Sequence, residues 1–243
     1  MMRAFLFVSL LLAAAVAHAN ESLKLDEAPI DTRDVASIQR GVRVFVNYCL
    51  NCHAATAMRY NRLEDLGLTS AQIKDNLMFA AATKPGAPMS IAMRPKDAEE
   101  WFGVAPPDLS VIARSRGPDW LYTYLRSFYR DGSTSTGWNN LVFPNVGMPH
   151  VLWELQGEQT LKVEERQGQH GKQHVKTLAL STPGALDARA YDTLVADLVN
   201  YLMFMGEPAR QTRMQIGYVV LIFLGVLFVP VYLLKQDYWK EVH

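Results

Sequence analysis

The chain is short of cysteine: two in 243 residues, Cys49 and Cys52. That count excludes a disulfide-rich scaffold and any site built from four cysteines. It also lacks a charge excess, with 24 Lys plus Arg against 24 Asp plus Glu. A nucleic-acid-binding protein would carry a basic excess or stripe, so no nucleic-acid partner is expected. Charged residues are 20% and hydrophobic residues 49%, which does not fit a disordered polyelectrolyte. No internal repeat and no low-complexity tract is visible.

What is present falls into three chemically different segments. Met1-Met2-Arg3 is a short positive start, Ala4 to Ala17 is apolar, and Ala17-His18-Ala19 closes the run with small residues. This is the layout of a secretory signal peptide, cleaved after Ala19. At the other end, Ile216 to Leu234 carries no charge. At ~1.5 Å per residue it is about 28 Å long, close to a hydrocarbon core of about 30 Å. Arg210 and Arg213 precede it, and Lys235, Tyr238, Trp239 and Lys240 follow as interfacial anchors. The expected organisation is a leader over 1–19, an exported domain over 20–213, a transmembrane anchor over 214–235 and a cytoplasmic tail over 236–243. Subtracting Arg3, Lys235 and Lys240 from the basic residues, and Asp237 and Glu241 from the acidic ones, leaves the domain 21 against 22. It stays near-neutral.

Within the domain, apolar residues at 35, 38, 42, 45, 46 and 49 recur at helical spacing, predicting a helix from Val35 to Cys49. Thr69 to Ala82 reads as a second helix with Thr69 or Ser70 as N-cap. Ala105-Pro106-Pro107-Asp108-Leu109-Ser110 reads as an extended connector before a short helix to about Arg114. Pro118 to Arg130 is an aromatic helix. Asp131 to Pro149, rich in Gly, Ser, Asn and Pro, is a long loop, and long loops in compact domains are usually functional. Residues 161–163 and 175–180 form a small hairpin, and Asp187 to Met205 is a helix leading toward the anchor. The expected fold class is mainly α, with a small β-hairpin insertion and one C-terminal transmembrane helix.

Cys49-Leu50-Asn51-Cys52-His53 is CxxCH, the attachment signature of haem c. Two thiols three residues apart at a helix end can both form thioethers to one porphyrin edge, and the next residue, His53, supplies an imidazole to the iron. A thioredoxin-like dithiol has no need of the histidine, and a zinc site needs two further ligands. For the second axial position, Met148 is favoured. It stands in Pro144-Asn145-Val146-Gly147-Met148-Pro149 at the end of the long loop, where Gly147 permits close backbone approach and Pro149 fixes the chain beyond. Met89, Met93 and His150 are rivals. Met58 is too near His53 to reach the opposite haem face, Met78, Met203 and Met205 sit on helical apolar faces, and His170 and His174 read as solvated hairpin residues. His/Met ligation leaves no open coordination position and raises the potential, which points to one-electron transfer rather than independent catalysis. Arg114 and Arg116 are candidate partners of the haem propionates.

These residues together resemble the cytochrome c1 family, in a proteobacterial form. The likeness rests on several motifs in order. CxxCH follows Phe45-Val46-Asn47-Tyr48 and precedes Arg59-Tyr60-Asn61-Arg62-Leu63; the Ala105-to-Ser110 connector has Arg116 six residues on. The Phe143-to-Pro149 methionine segment and the Glu207-Pro208-Arg210-Arg213-Met214 approach to the anchor complete it. The resemblance implies a cytochrome c-like haem domain belonging to the cytochrome bc1 complex. The electron donor would be the Rieske iron–sulfur protein and the acceptor a cytochrome c, with cytochrome b packed against the anchor in a dimeric complex. It implies Cys49 and Cys52 as thioether residues, His53 and Met148 as iron ligands, Arg116 as the favoured propionate partner and Pro107 beside His53. Some members clamp the methionine region with a further cysteine pair; here packing and hydrogen bonds must hold the Met148 loop. Asp97-Glu99-Glu100 and Glu154-Glu158 are candidate acidic docking groups.

Overall fold

In the computed structural model, which describes residues 24–79, 84–168 and 171–240, the helix carrying the cysteines begins with a side-chain cap. Asp34 accepts from the Ser37 amide at 3.0 Å, satisfying one of the free N–H groups of α1 (Val35–Val44). The predicted single helix to Cys49 widens instead into a π-type turn over Phe45–Cys49, with Leu50 N–H bonded to the Phe45 carbonyl at 3.0 Å. Such insertions often sit at functional positions. Here the widened turn delivers the Cys49 carbonyl to both the Cys52 and His53 amides, at 3.1 and 2.9 Å. The leader read from residues 1–19 lies outside the described residues.

The last helix of the domain, α7 (Ala188–Gly206), is capped by Asp187 and crosses α1. Ile38, Val42, Phe45 and Val46 meet Tyr191, Val195, Leu198, Val199, Tyr201 and Leu202 in the core, and full burial of a large apolar side chain stabilises by about 1.5–3 kcal/mol. The crossing is tight because Gly41 has no side chain: a Cβ there would stand 2.0 Å from the Asp197 carbonyl oxygen. Asp197 is buried at the same crossing. Its carboxylate accepts from Ser37 Oγ at 2.6 Å and from Arg40 Nε and Nη2 at 2.6 and 2.9 Å, which meets the requirement that a buried charge be paired.

Between these helices the chain forms short elements. β1 (Ala55–Arg59) pairs with β2 (Pro88–Met89). α2 (Ser70–Leu77) opens on a capping box in which Thr69 and Gln72 exchange bonds to each other's amides. It ends at Leu77, and residues 80–82 of the helix predicted to Ala82 lie outside the described residues. α3 (Pro95–Phe102), α4 (Ile112–Arg116) and α5 (Pro118–Arg126) follow. The predicted helix to Arg130 stops at Arg126. Ser127 instead closes the last turn onto the Tyr124 carbonyl, and Phe128–Arg130 becomes β3, in register with β4 (Trp138–Asn140) inside the predicted loop. Pairing in this ladder outweighs the helical spacing of the aromatics. After α6 (Trp153–Gln156), β5 (Gly157–Gly168) and β6 (Gly171–Pro183) make a longer hairpin than the pattern suggested. α8 (Arg210–Tyr238) is apolar and exposed along its length. Among the described residues about half are helical, with three two-stranded sheets and one long apolar C-terminal helix suited to anchor the chain in a membrane.

Candidate haem site

The connector Pro106–Ser110 is fastened along the segment that follows CxxCH. Leu109 N–H donates to the Ala54 carbonyl at 2.8 Å, and the Ala57 amide donates to Ser110 Oγ at 3.0 Å. Asp108 accepts from the Thr56 amide and hydroxyl at 2.8 and 2.7 Å and from the Ser110 amide at 2.8 Å. Burial pushes the Asp108 carboxyl up, but these hydrogen bonds outweigh it and hold the group below its ordinary value. The strap presents the Pro107 carbonyl to His53 Nδ1 at 2.8 Å. A carbonyl can only accept, so Nδ1 carries the proton and Nε2 keeps its lone pair. Burial also pushes the His53 imidazole below its ordinary value, against the upward pull of Pro107 and Asp108. Cys49 is buried and unbridged, its thiol pushed up to about 12 by burial and then by Cys52, which is half-buried.

Met148 lies half-buried at the end of its loop, and its sulfur accepts from the Tyr124 hydroxyl at 3.4 Å. Burial holds the Tyr124 hydroxyl above its ordinary value, so it stays a donor. Tyr124 stacks on Trp120 with centroids 4.8 Å apart, and the Arg116 guanidinium lies 5.0 Å over the Trp120 ring. Residues 116, 120 and 124 thus form one line at helical spacing ending on the methionine sulfur. The loop itself is pinned by two buried asparagines. Asn139 Oδ1 accepts from the Asn145 amide at 2.8 Å, where Asn145 adopts φ 60°. Asn140 Oδ1 accepts from the Val142 and Phe143 amides, and its Nδ2 donates to the Tyr124 carbonyl at 2.8 Å. Gly147 packs so closely that a Cβ would stand 3.0 Å from Val104 Cγ1 and 3.1 Å from the Phe102 carbonyl.

The other candidate ligands have surroundings of their own, with Met89 pairing with Ala55 just after CxxCH. Met89 is fully buried, and its sulfur accepts from Tyr201 Oη at 3.3 Å. His150 is buried, stacked on Phe128 at 4.8 Å and pushed down to about 4 by burial. Met93 is half-buried, and His170 lies outside the described residues. Arg114 has neighbours of its own: its stem fills the space over Gly206 at the end of α7. Sequence reading passed over Tyr124, Asn139 and Asn140. The i, i+4 aromatic spacing from Trp120 and the adjacent asparagine pair in a Gly-rich loop were their signals. Two thiols at CxxC spacing, an imidazole with Nε2 free and a thioether held by its own donor form a donor set that fits a covalently attached haem.

Comparison with known proteins gives the family. The family model described as "Cytochrome C1 family" matches residues 26–242. A protein of Allochromatium vinosum named cytochrome c1 is 50% identical over 220 residues, 90% of each chain. One of Nitrosomonas europaea named ammonia monooxygenase gamma subunit is 50% identical over 240 residues, 98% of each chain. The cytochrome c1 of Rhodospirillum rubrum is 29% identical over 86% of this chain and 83% of its own. The chain therefore belongs to the cytochrome c1 family, as a membrane-anchored electron-transfer subunit of the cytochrome bc1 complex carrying one covalent haem c.

Proposed function

We propose that Cys49 and Cys52 would carry the thioether bonds, that His53 Nε2 and Met148 Sδ would hold the iron, and that Arg116 would meet a haem propionate. The observation that carries this reading is the His53 Nδ1–Pro107 carbonyl bond at 2.8 Å, which fixes the tautomer an iron ligand requires. Bound haem c supplies one-electron exchange between ferric and ferrous iron. The chain's own residues hold and tune that centre: Pro107 orients the imidazole, Tyr124 orients the thioether, and Asn139 with Asn140 holds the loop against thermal departure of Met148. With His53 and Met148 both holding the iron, the chain would relay electrons and leave bond-making chemistry to its partners. The electron comes from the Rieske protein and goes to a cytochrome c, with cytochrome b against α8 and the complex dimeric.

The leader over 1–19, the haem domain over 20–213 on the periplasmic side, the span over 214–235 and the cytoplasmic tail over 236–243 complete the proposal. Redox-resolved spectroscopy of the purified membrane complex tests it. The expected result is one His/Met haem c co-purifying with b-type haems and an iron–sulfur centre. Met148→Leu should keep covalent haem, lower the potential and stop turnover with cytochrome c; an unchanged potential would assign the ligand to another residue. Rapid carbon monoxide binding to the reduced wild type at neutral pH would overturn the relay. The Nitrosomonas relative favours a second reading, a haem c subunit of another membrane oxidase. Co-purification of a copper oxidase in place of cytochrome b would select it.

A further inference from the structure

Arg114 is drawn to the junction between the haem domain and the membrane. Its Cγ and Cδ lie 3.3 and 3.7 Å from where a Cβ on Gly206 would stand, so the stem occupies the slot left by that glycine. Gly206 ends α7, and after Glu207-Pro208-Ala209 the anchoring helix begins at Arg210, whose amide bonds the Glu207 carbonyl at 3.1 Å. Glu207 Oε1 accepts from Arg213 Nε at 2.5 Å. The hydrogen bond from Arg213 and the fields of Arg213, Arg114 and Arg210 hold the Glu207 carboxyl below its ordinary value. Glu207 thus sets one negative charge, bonded to Arg213, against the field of three guanidinium groups, a surplus of two positive charges, and Arg114 and Arg213 are exposed.

The depth of this cluster identifies what it meets. The apolar run starts at Ile216, after Gln215. At ~1.5 Å per residue, Arg213 lies about 4.5 Å and Arg210 about 9 Å above it, and the headgroup layer adds about 5–7 Å on each side of the hydrocarbon. Arg213 is therefore within that layer, and Arg210 lies a side chain's length or less above it. Packing on Gly206 brings in Arg114, nearly a hundred residues earlier in the chain.

We propose that Arg114, Arg210 and Arg213 form a binding site for the phosphate of an anionic phospholipid. The same contact steadies the three-residue connector between α7 and α8, and with it the posture of the haem domain over the membrane. The proposal is independent of which residues ligate the iron.

The test uses the full haem-loaded chain in phosphatidylcholine nanodiscs containing spin-labelled phosphatidylglycerol or spin-labelled phosphatidylcholine, with the immobilised lipid fraction read by electron paramagnetic resonance. Wild type should select phosphatidylglycerol at low ionic strength. Arg114→Gln and Arg210→Gln should each lower that selectivity by about five-fold, Arg114→Lys should retain part of it, and Glu207→Gln should raise it. The rise separates charge recognition from mere loss of packing, and an unchanged haem spectrum reports the fold. Absence of selectivity in wild type, or equal selectivity in all variants, overturns the proposal. Full displacement of the labelled lipid by inorganic phosphate overturns the lipid assignment in favour of a free-anion site.

Discussion

Replacing Gly41 by alanine tests whether the crossing of α1 and α7 sets the stability of the haem domain. An added Cβ would stand 2.0 Å from the Asp197 carbonyl oxygen, 2.7 Å from its carbon and 2.8 Å from Tyr201 Cβ, where ordinary contact begins near 3.4 Å. The obstacles are helix backbone and a Cβ atom, so no rotamer change relieves them and the helices must part by roughly 1 Å. Parting loosens the Phe45–Tyr201 ring contact, now at 5.2 Å, and the Ser37 and Arg40 bonds to buried Asp197. Overpacking of this kind costs about 3 kcal/mol at the upper end of its usual range. Alanine returns about 1 kcal/mol through helix propensity. The net loss of about 2 kcal/mol corresponds to a fall in Tm of roughly 4–8 °C for a domain of this size. Thermal unfolding of the haem-loaded protein, followed by circular dichroism and by the Soret band, measures it. Gly86→Ala is the control, because nothing lies within 4 Å of its Cβ position, and should change stability by less than about 0.5 kcal/mol. A Gly41→Ala protein as stable as wild type would refute the reasoning.

Tyr124→Phe removes the hydrogen bond to the Met148 sulfur and leaves the thioether a stronger donor to ferric iron. The potential should fall by about 20–40 mV, the equivalent of about 0.5–1 kcal/mol; redox titration showing no fall would deny Tyr124 its tuning role. Asp131 is held below its ordinary value by hydrogen bonds from Asn139 and Ser133, and Asn139 in turn holds Asn145 in the methionine loop. A depressed carboxylate stabilises fully above its unfolded pKa and loses that contribution as pH falls through the folded one. The ferric iron–sulfur charge-transfer band should therefore weaken below about pH 4 in wild type, and Asp131→Ala should show a weaker band already at neutral pH. Acid titration of the two proteins checks this, and identical profiles would count against the Asp131–Asn139 link.

The helix boundaries show where reading residues in order ran out. Periodicity located α1, α5 and α7, because burying one face of a helix imposes a spacing that any stretch of the chain displays. It overran α5 by four residues, since Phe128–Arg130 keeps an aromatic pattern while its backbone pairs with Trp138–Asn140. A strand partner ten residues away outside the helical frame leaves no mark on local spacing. Arg114 and Arg116 looked alike as neighbours of the connector, yet one lies on Gly206 and the other on Trp120.

Covalent reach made part of this protein legible from its residues alone. Two thiols and an imidazole must lie within one turn to share a single haem, and a membrane helix must be long and apolar enough to cross hydrocarbon, so CxxCH and the C-terminal run declare themselves locally. Tertiary structure decided the rest. It set which nitrogen of His53 is free, through a carbonyl 54 residues away. It brought Tyr124 to the Met148 sulfur, closed α7 onto Gly41, and carried Arg114 to the membrane junction. These are contacts between segments distant in sequence, and their geometry exists only once the core that brings them together has formed.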